Sequence, residues 1–308
     1  MTVLKELTRE FGDAAVASAI IESLLHNGLE IRSDSVRALR RGYTGARLAR
    51  AQLANVEKPY KPRSCVIKFC PPVPVNRRRV IHESQQHSAI LQQRPRKFSR
   101  WHLTEIAFPP VMCPEGALVI GQSMADGIPL GTVELDQLAD ACEIIWGEML
   151  FGWTGEWYDS EPTTLAALLK RELGDSFHAD GWLRGWAQDR GLLAPSFLEL
   201  PDEEKPLPNP WRLFDVGTPT TQMGLDCLVG RTHGDLHGDN VLIPAHDGIV
   251  DPAGFRLIDL ATYDAQAPLS RDLATLLISL CWREIGASSL DSRSTFLTYL
   301  ERDKRDKR

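Results

Sequence analysis

The 308-residue sequence has no CxxC pair, no excess of basic residues and no apolar run near the roughly 20 residues that a membrane span requires. Its net charge of -6 argues against a general nucleic-acid binder, because such proteins need a basic surface against the phosphates. Its N-terminal residues also lack the basic-then-apolar layout of a signal peptide. We therefore expect a globular cytoplasmic protein with reduced thiols, no membrane segment and no nucleic-acid partner.

Cysteines are few and scattered. Cys65 and Cys70 are close enough to begin a zinc site, but no second close pair follows them. This favours buried or incidental thiols over a metal site.

The spacing of apolar residues changes along the chain. Residues 3–27 have the period of one amphipathic helix, residues 33–70 resemble three short strands, and a helical stretch at 76–98 precedes strand-like segments at 103–112 and 116–124. The following residues are mainly helical. The pattern predicts an α+β fold, with an N-terminal helical extension at 1–32, a strand-rich part at 33–125 and a helix-rich part at 126–308.

Residues 231–240, "RTHGDLHGDN", concentrate histidine, aspartate and asparagine in ten positions. His233, Asp235, His237 and Asp239 alternate in a way that superficially resembles the HxHxDH motif of zinc hydrolases. The match fails because Asp235 stands at the second histidine position and no Asp-His neighbour pair exists. A polar turn and a phosphoryl-transfer loop remain as alternatives.

Phosphoryl transfer requires a carboxylate near the attacking hydroxyl, oxygen ligands for Mg²⁺ and a cation on the phosphates. Asp235 and Asn240 have the D-x-x-x-x-N spacing of a catalytic loop. Apolar runs at 241–243 and 255–258 flank a loop rich in Gly, Pro and Asp, which predicts a hairpin. This hairpin would bring Asn240 close to Asp259, a second oxygen ligand.

Lys68 lies in the strand-like segment "SCVIKF", on one face of an otherwise apolar run. A partly buried lysine needs a partner, and Glu83 in the following predicted helix is well placed to supply it. The alternative is an edge-strand lysine that protects against aggregation.

These segments resemble the protein-kinase-like superfamily, specifically its aminoglycoside phosphotransferase and choline kinase branch. The resemblance rests on "HGDLHGDNVLI", "LIDLA" and "LSRDLATLL". It implies a two-lobed kinase-like fold, with a small antiparallel-sheet N-lobe and a mostly helical C-lobe. It further implies Asp235 as base, His233 and Asp272 as supports of the loop, Asn240 and Asp259 as Mg²⁺ ligands, and Lys68 with Glu83 on the phosphates.

The same resemblance implies that the backbone of residues 122–124, including Gln122 and Met124, meets the adenine of ATP. A turn made by Gly42, Tyr43, Thr44 and Gly45 would cover the phosphates with its backbone amides. This turn has two glycines instead of a full GxGxxG, and a plain hairpin turn is the alternative.

The resemblance predicts an ATP-dependent phosphotransferase that moves the γ-phosphoryl group of MgATP to a hydroxyl-bearing acceptor, more often a small molecule than a protein. The helical region 131–225 would shape the acceptor pocket, but its tryptophans and acidic residues do not identify the acceptor. The alternative is a nucleotide-binding pseudokinase that regulates or scaffolds a bacterial signalling or defence protein.

Overall fold

The computed structural model describes residues 2–39, 46–70, 87, 89–90, 95–155, 158–173, 181–199, 205–209, 211–212 and 223–287. Two compact units divide the chain: the first combines Met1–Trp157 with Gly230–Arg308, and the second is Tyr158–Val229. Among the described helices, none has the length and apolar character needed to cross a membrane. The predicted boundaries at residues 32 and 125 remain predictions.

The described helices are α1 Val3–Phe11, α2 Ala14–His26, α3 Arg96–His102, α4 Leu135–Gly147, α5 Leu165–Leu173, α6 Trp182–Asp189 and α7 Ser270–Ala287. The described strands are β1 Leu29–Ile31, β2 Arg37–Ala38, β3 Arg47–Asn55, β4 Lys58–Cys70, β5 Ile106–Met112, β6 Leu118–Ser123, β7 Ile128–Pro129, β8 Asp159–Thr164, β9 Phe197–Leu198, β10 Leu207–Pro208, β11 Gly224–Thr232, β12 Val241–Ile243, β13 Ala245–His246, β14 Ile249–Val250, β15 Arg256–Leu257 and β16 Asp264–Pro268. A π-helical segment, Glu148–Thr154, continues α4.

A six-stranded antiparallel sheet forms the strand-rich part of the first unit. Its order is β1-β3-β4-β6-β5, with β2 paired to β3. The strands predicted within 33–70 and 103–124 are therefore confirmed. Along β4, Cys65, Ile67 and Phe69 are buried while Lys68 is only partly buried, because successive side chains point to opposite faces of the sheet.

The N-terminal residues form two helices, so the prediction of one helix over residues 3–27 is wrong. Gly12 adopts a left-handed conformation with φ 74°, and its N–H donates to Thr8 O at 2.7 Å, which ends α1. The Asp13 carboxylate then accepts from the backbone N–H groups of Ala15 and Val16 and caps α2. The Gly12-Asp13 pair thus ends α1 and begins α2.

Two large hydrophobic cores, and a small cluster of Cys70, Leu118 and Ile120, lie among the described residues of the first unit. The first joins the sheet to α1 and α2; its buried members include Leu7, Phe11, Ile20, Leu24, Ile67 and Val119. The second joins α3, α4, α7 and the short strands that follow the HGD sequence; its buried members include Leu130, Ile145, Trp153, Val241, Leu257 and Leu276. The predicted α+β class is confirmed, with one strand-rich and one helix-rich core as a two-lobed kinase-like fold requires.

The second unit contains the helices α5 and α6, within the region where the sequence predicted mainly helical structure. Strand β8 pairs antiparallel with β11 from Gly224 to Val229. The sequence "DSEPTT" of β8 has no apolar alternation, so the pattern did not indicate a strand there.

Candidate active site

Residues 231–240, here called the HGD loop, begin on β11 and end at β12. Gly234 has φ 85°, and a Cβ atom at this position would lie 2.0 Å from the carbonyl oxygen of Thr262. Only glycine fits such a close approach of backbone to backbone. Thr262 also contacts the loop directly, because its hydroxyl donates to His233 O at 3.2 Å. These contacts fix the bend of the loop before Asp235.

Asp272, in the first turn of α7, holds the HGD loop by its backbone. Its two carboxylate oxygens accept from His233 N at 2.6 Å and from Gly234 N at 2.8 Å. Burial raises the pKa of the Asp272 carboxyl, while the hydrogen bonds from the backbone N–H groups of His233 and Gly234 oppose that rise. The structure therefore places Asp272 and His233 together, as the resemblance implied.

Both ring nitrogens of His233 face backbone partners. Nδ1 lies 3.3 Å from Asp235 N and accepts its hydrogen, so Nε2 is the nitrogen that donates, to Ile258 O at 2.8 Å. A zinc ligand needs a nitrogen lone pair directed at the metal, and His233 has none to offer. Within the described residues, no cluster of three His, Cys, Asp or Glu side chains could hold a metal ion. The geometry therefore argues against the zinc alternative.

Asn240 and Asp235 lie side by side in the loop. The Asn240 side-chain amide donates to Asp235 O at 2.9 Å, and His237 N donates to the same oxygen at 2.9 Å. The Asp235 side chain is exposed, whereas Asn240 is 5% exposed. The backbone of Asp235 is thus tightly held while its carboxylate faces outward, as a group that meets a substrate should.

The predicted hairpin is present and joins Asn240 to Asp259. Strand β12 pairs antiparallel with β15, and Ile258 N donates to Asn240 O at 3.1 Å. Asp259 follows in a left-handed conformation with φ 58° and ψ 62°, which is uncommon for a residue other than glycine. Backbone conformations of this kind concentrate at functional sites.

Lys68 contacts Asp259 across a separation of 191 residues. Its Nζ lies 3.0 Å from Asp259 Oδ1, and the two side chains are 13% and 38% exposed. This contact joins the sheet to the segment that carries the HGD loop. Of the predicted nucleotide-side residues, Lys68 and Asp259 are thus brought together.

Asn240 and Asp259 fit the ligand chemistry of Mg²⁺. Because the nitrogen of the Asn240 amide donates to Asp235 O, its oxygen Oδ1 is the atom that can ligate a cation. The Asp259 carboxylate is partly exposed and supplies a second oxygen donor. Magnesium is usually bound by one or two such groups together with water and substrate phosphates.

Several predicted residues lie outside the described part of the chain. These are Glu83 and the turn formed by Gly42, Tyr43, Thr44 and Gly45. The proposed pair of Lys68 with Glu83 therefore remains a prediction, as does the phosphate cover.

Gln122 and Met124 lie at the end of β6, where the resemblance places the adenine. Gln122 is buried and its side-chain nitrogen lies 3.3 Å from His87 Nδ1. Met124 N donates to Ser64 O at 3.1 Å and Ser123 N donates to Glu105 O at 2.7 Å. Both N–H groups already donate to backbone carbonyl oxygens. The predicted contact of Gln122 and Met124 with the adenine therefore stays a prediction.

Some residues at the site were not singled out from the sequence. Ser279 of α7 accepts from Gly238 N at 3.1 Å, which anchors the loop at a second point. Asp239 N donates to His237 Nδ1 at 3.2 Å, which orients that ring beside Asp235. The four-residue steps of α7 could have indicated Ser279, since Thr275 and Ser279 lie on one helix face.

The cysteines are all free thiols. Cys65 and Cys70 are both buried in β4, and burial raises the pKa of the Cys65 thiol to about 12. A thiol that resists deprotonation is a poor metal ligand. The preference for buried thiols at these two positions is confirmed.

No protein-family model and no curated protein matches this chain. Three similar solved structures are aminoglycoside phosphotransferases, the branch whose motifs the sequence resembles. The type VIII aminoglycoside-3'-phosphotransferase is 17% identical, with 92% of each chain covered and a TM-score of 0.45. A thermostable mutant of APH(4)-Ia is 13% identical, with 92% of this chain and 78% of that chain covered and a TM-score of 0.46. APH(3'')-Id from Streptomyces rimosus ATCC10970 is 18% identical, with 85% and 82% covered and a TM-score of 0.42. These values are too low to assign an activity to this chain.

Proposed function

We propose that this chain is a phosphotransferase that moves the γ-phosphoryl group of MgATP to a hydroxyl group of a small-molecule acceptor. One observation carries the proposal. Asp235, Asn240, Asp259 and Lys68 form a continuous chain of contacts, through Asn240 Nδ2 to Asp235 O, Ile258 N to Asn240 O, and Lys68 Nζ to Asp259 Oδ1. These are the types of group that phosphoryl transfer requires, joined in one place.

Each residue has a role that its position supports. The exposed Asp235 carboxylate orients the acceptor hydroxyl and takes its proton as the hydroxyl oxygen bonds to the γ-phosphorus and the bond to ADP breaks. Lys68 holds the phosphates, and Asn240 and Asp259 hold Mg²⁺, which neutralises negative charge on the phosphates when bound. His233 and Asp272 contact no substrate and position the loop.

The substitution Asp235→Asn tests the proposal most directly. Asparagine has the same shape and keeps the backbone contacts, but it cannot accept the proton. We expect turnover of MgATP to fall by about a hundredfold or more, with the affinity for MgATP and the thermal midpoint close to wild type. The measurements are ADP release in the presence of an acceptor panel and a thermal shift by MgATP.

Asp247→Asn serves as the matched control, because it makes the same change in the exposed turn between β13 and β14. Equal turnover of wild type and Asp235→Asn would contradict the role of Asp235, and MgATP binding without turnover in either protein would favour a pseudokinase. One equivalent of tightly bound zinc in the purified protein, lost together with activity in His233→Ala and His237→Ala, would favour a zinc hydrolase instead.

A further inference from the structure

A cavity of about 840 Å³ opens beside the HGD loop, entirely within the first unit. Its lining includes Asp235 and Asp239 of the loop and residues of α7. Sites for small organic ligands have volumes of roughly 300 to 1,000 Å³, so the cavity has room for one. Asp235, the residue that we place at the acceptor hydroxyl, lines this cavity.

The α7 wall of the cavity includes an apolar stripe formed by Ala274, Ile278 and Trp282, beside Thr275, Ser279 and Leu280. These residues are four positions apart, so they lie above one another on one face of the helix. Ile278 is 63% exposed and Trp282 is 74% exposed. Large apolar side chains that line a cavity together with a few polar groups are typical of a ligand site.

Helix α7 holds this stripe at a fixed distance from Asp235. Asp272 accepts from His233 N and Gly234 N near the start of the helix, and Ser279 accepts from Gly238 N two turns later. The other face of the helix is buried, since Asp272, Leu276 and Leu280 are 2%, 2% and 9% exposed. The same helix therefore anchors the loop and lines the cavity.

We infer that the phosphoryl acceptor is an amphipathic alcohol, whose apolar body packs along Ala274, Ile278 and Trp282 while its hydroxyl lies at Asp235. This inference rests on the proposed phosphotransferase function and adds the chemical class of the acceptor. An acceptor that is polar on all sides would leave this stripe in contact with water, and burying apolar surface there stabilises the complex. Asp239 offers a second carboxylate for a polar group near the hydroxyl.

A series of primary n-alkanols from 1-butanol to 1-octanol tests the inference with wild-type protein and MgATP. The readout is the alkanol concentration that half-maximally changes ADP release. An alkanol in the cavity raises ADP release if it accepts the phosphoryl group. It lowers ADP release if it only displaces the water that would otherwise accept that group. We expect the half-maximal concentration to fall about fourfold for each added methylene group. Thermal denaturation at each concentration verifies that the protein stays folded.

Ile278→Ser removes apolar surface from the stripe at an exposed position. We expect its half-maximal concentration for 1-octanol to rise about tenfold and its dependence on chain length to weaken. Leu277→Ser is the matched control, because Leu277 is 49% exposed on the same helix but does not line the cavity. This variant should behave like wild type.

Two results would overturn the inference while leaving the proposed function intact: ADP release that no alkanol affects in a length-dependent way, or equal changes in Ile278→Ser and Leu277→Ser. The first is also the result expected if another segment of the chain, or a protein partner, covers the stripe. Absence of ADP release under all conditions would instead contradict the proposed phosphotransferase function, and the inference with it.

Discussion

The HGD loop and the Lys68–Asp259 contact form two sides of the same candidate site, but different interactions hold them in place. The loop is fixed by buried and partly buried hydrogen bonds of its backbone, which donates to Asp272 and Ser279 and accepts from Thr262. The nucleotide side is held by a contact between two charged side chains, of which Asp259 is 38% exposed. The HGD loop therefore has a position fixed by the fold, whereas Lys68 and Asp259 can exchange their mutual contact for other contacts.

Under the proposed function, this difference corresponds to what each side must do. A group that orients an acceptor works best when its position is set before the substrate arrives, since positioning supplies much of the rate. A lysine and a carboxylate that bind phosphates and Mg²⁺ must instead exchange their mutual contact for contacts with the ligand. Exposed or half-exposed ion pairs contribute little to stability, so this exchange costs little.

Asp272→Ala should produce the largest effect on stability. The buried N–H of His233 and the partly buried N–H of Gly234 would lose their acceptors, and we expect the free energy of unfolding to fall by about 2 to 4 kcal/mol. Urea denaturation measures this change. Turnover at a temperature where the variant is folded should also fall, because Asp235 follows directly in the loop.

Asp264→Ala is the control for this substitution, since its exposed carboxylate also accepts from a backbone N–H, that of Gln266 at 2.8 Å. We expect a loss of about 1 kcal/mol, because water can replace an exposed acceptor. If the two variants were destabilised equally, the loop would not be held by buried hydrogen bonds as described.

Lys68→Met should weaken MgATP binding while leaving the free energy of unfolding nearly unchanged. Methionine keeps most of the length and apolar stem of lysine but removes the charge, so we expect the unfolding free energy to change by less than about 1 kcal/mol. The dissociation constant for MgATP should rise at least about tenfold, because the cation on the phosphates is lost. Calorimetric titration and thermal denaturation measure the two quantities on the same samples.

Lys61→Met makes the same change at an exposed position of the same strand, β4, and should alter neither quantity. An unchanged MgATP affinity in Lys68→Met would remove Lys68 from the nucleotide site. A large loss of stability would show that its contact with Asp259 serves mainly to join the two cores.

The sequence predicted the loop side of the site better than the nucleotide side. The hairpin that joins Asn240 to Asp259 follows from two apolar runs around a Gly, Pro and Asp loop, and all of these signals are local. The contact of Lys68 with Asp259 joins residues 191 positions apart, and no local pattern specifies such a partner. The pair of Lys68 with Glu83, which follows 15 positions later, lies outside the described residues and stays a prediction.

The same limit explains the errors in the fold. The stop at Gly12 and the cap at Asp13 were visible as a Gly-Asp pair, but the apolar period continues across them and predicted one helix. Strand β8 is recruited by pairing with β11 and has no apolar alternation of its own. Its strand conformation depends on that pairing, which the spacing of apolar residues does not indicate.

A buried hydrogen-bond network centred on His87 lies at the end of β6. Its effect on the pH dependence of the unfolding free energy is the smallest that we predict. His87 is fully buried, with Nε2 2.9 Å from Thr104 O and Nδ1 3.3 Å from the Gln122 side-chain nitrogen. Burial lowers the pKa of His87 from its ordinary value of 6.5, as it does for His102. Below that pH the unfolded chain binds a proton that the folded protein excludes, so stability falls as the pH falls.

We expect His87→Gln to reduce this pH dependence. Glutamine keeps a donor and an acceptor but does not titrate, so the loss of unfolding free energy between pH 6.5 and pH 5.5 should be about 1 kcal/mol smaller than in wild type. The contributions of His102, and of Asp272 with the opposite sign, are common to both proteins and cancel in the difference. Urea denaturation across this range measures that difference. A difference between the two proteins that does not vary with pH would mean that the pKa of His87 is the same in the folded and unfolded states. In that case the hydrogen bonds to His87 would offset the effect of its burial, and the fold would not favour the neutral ring.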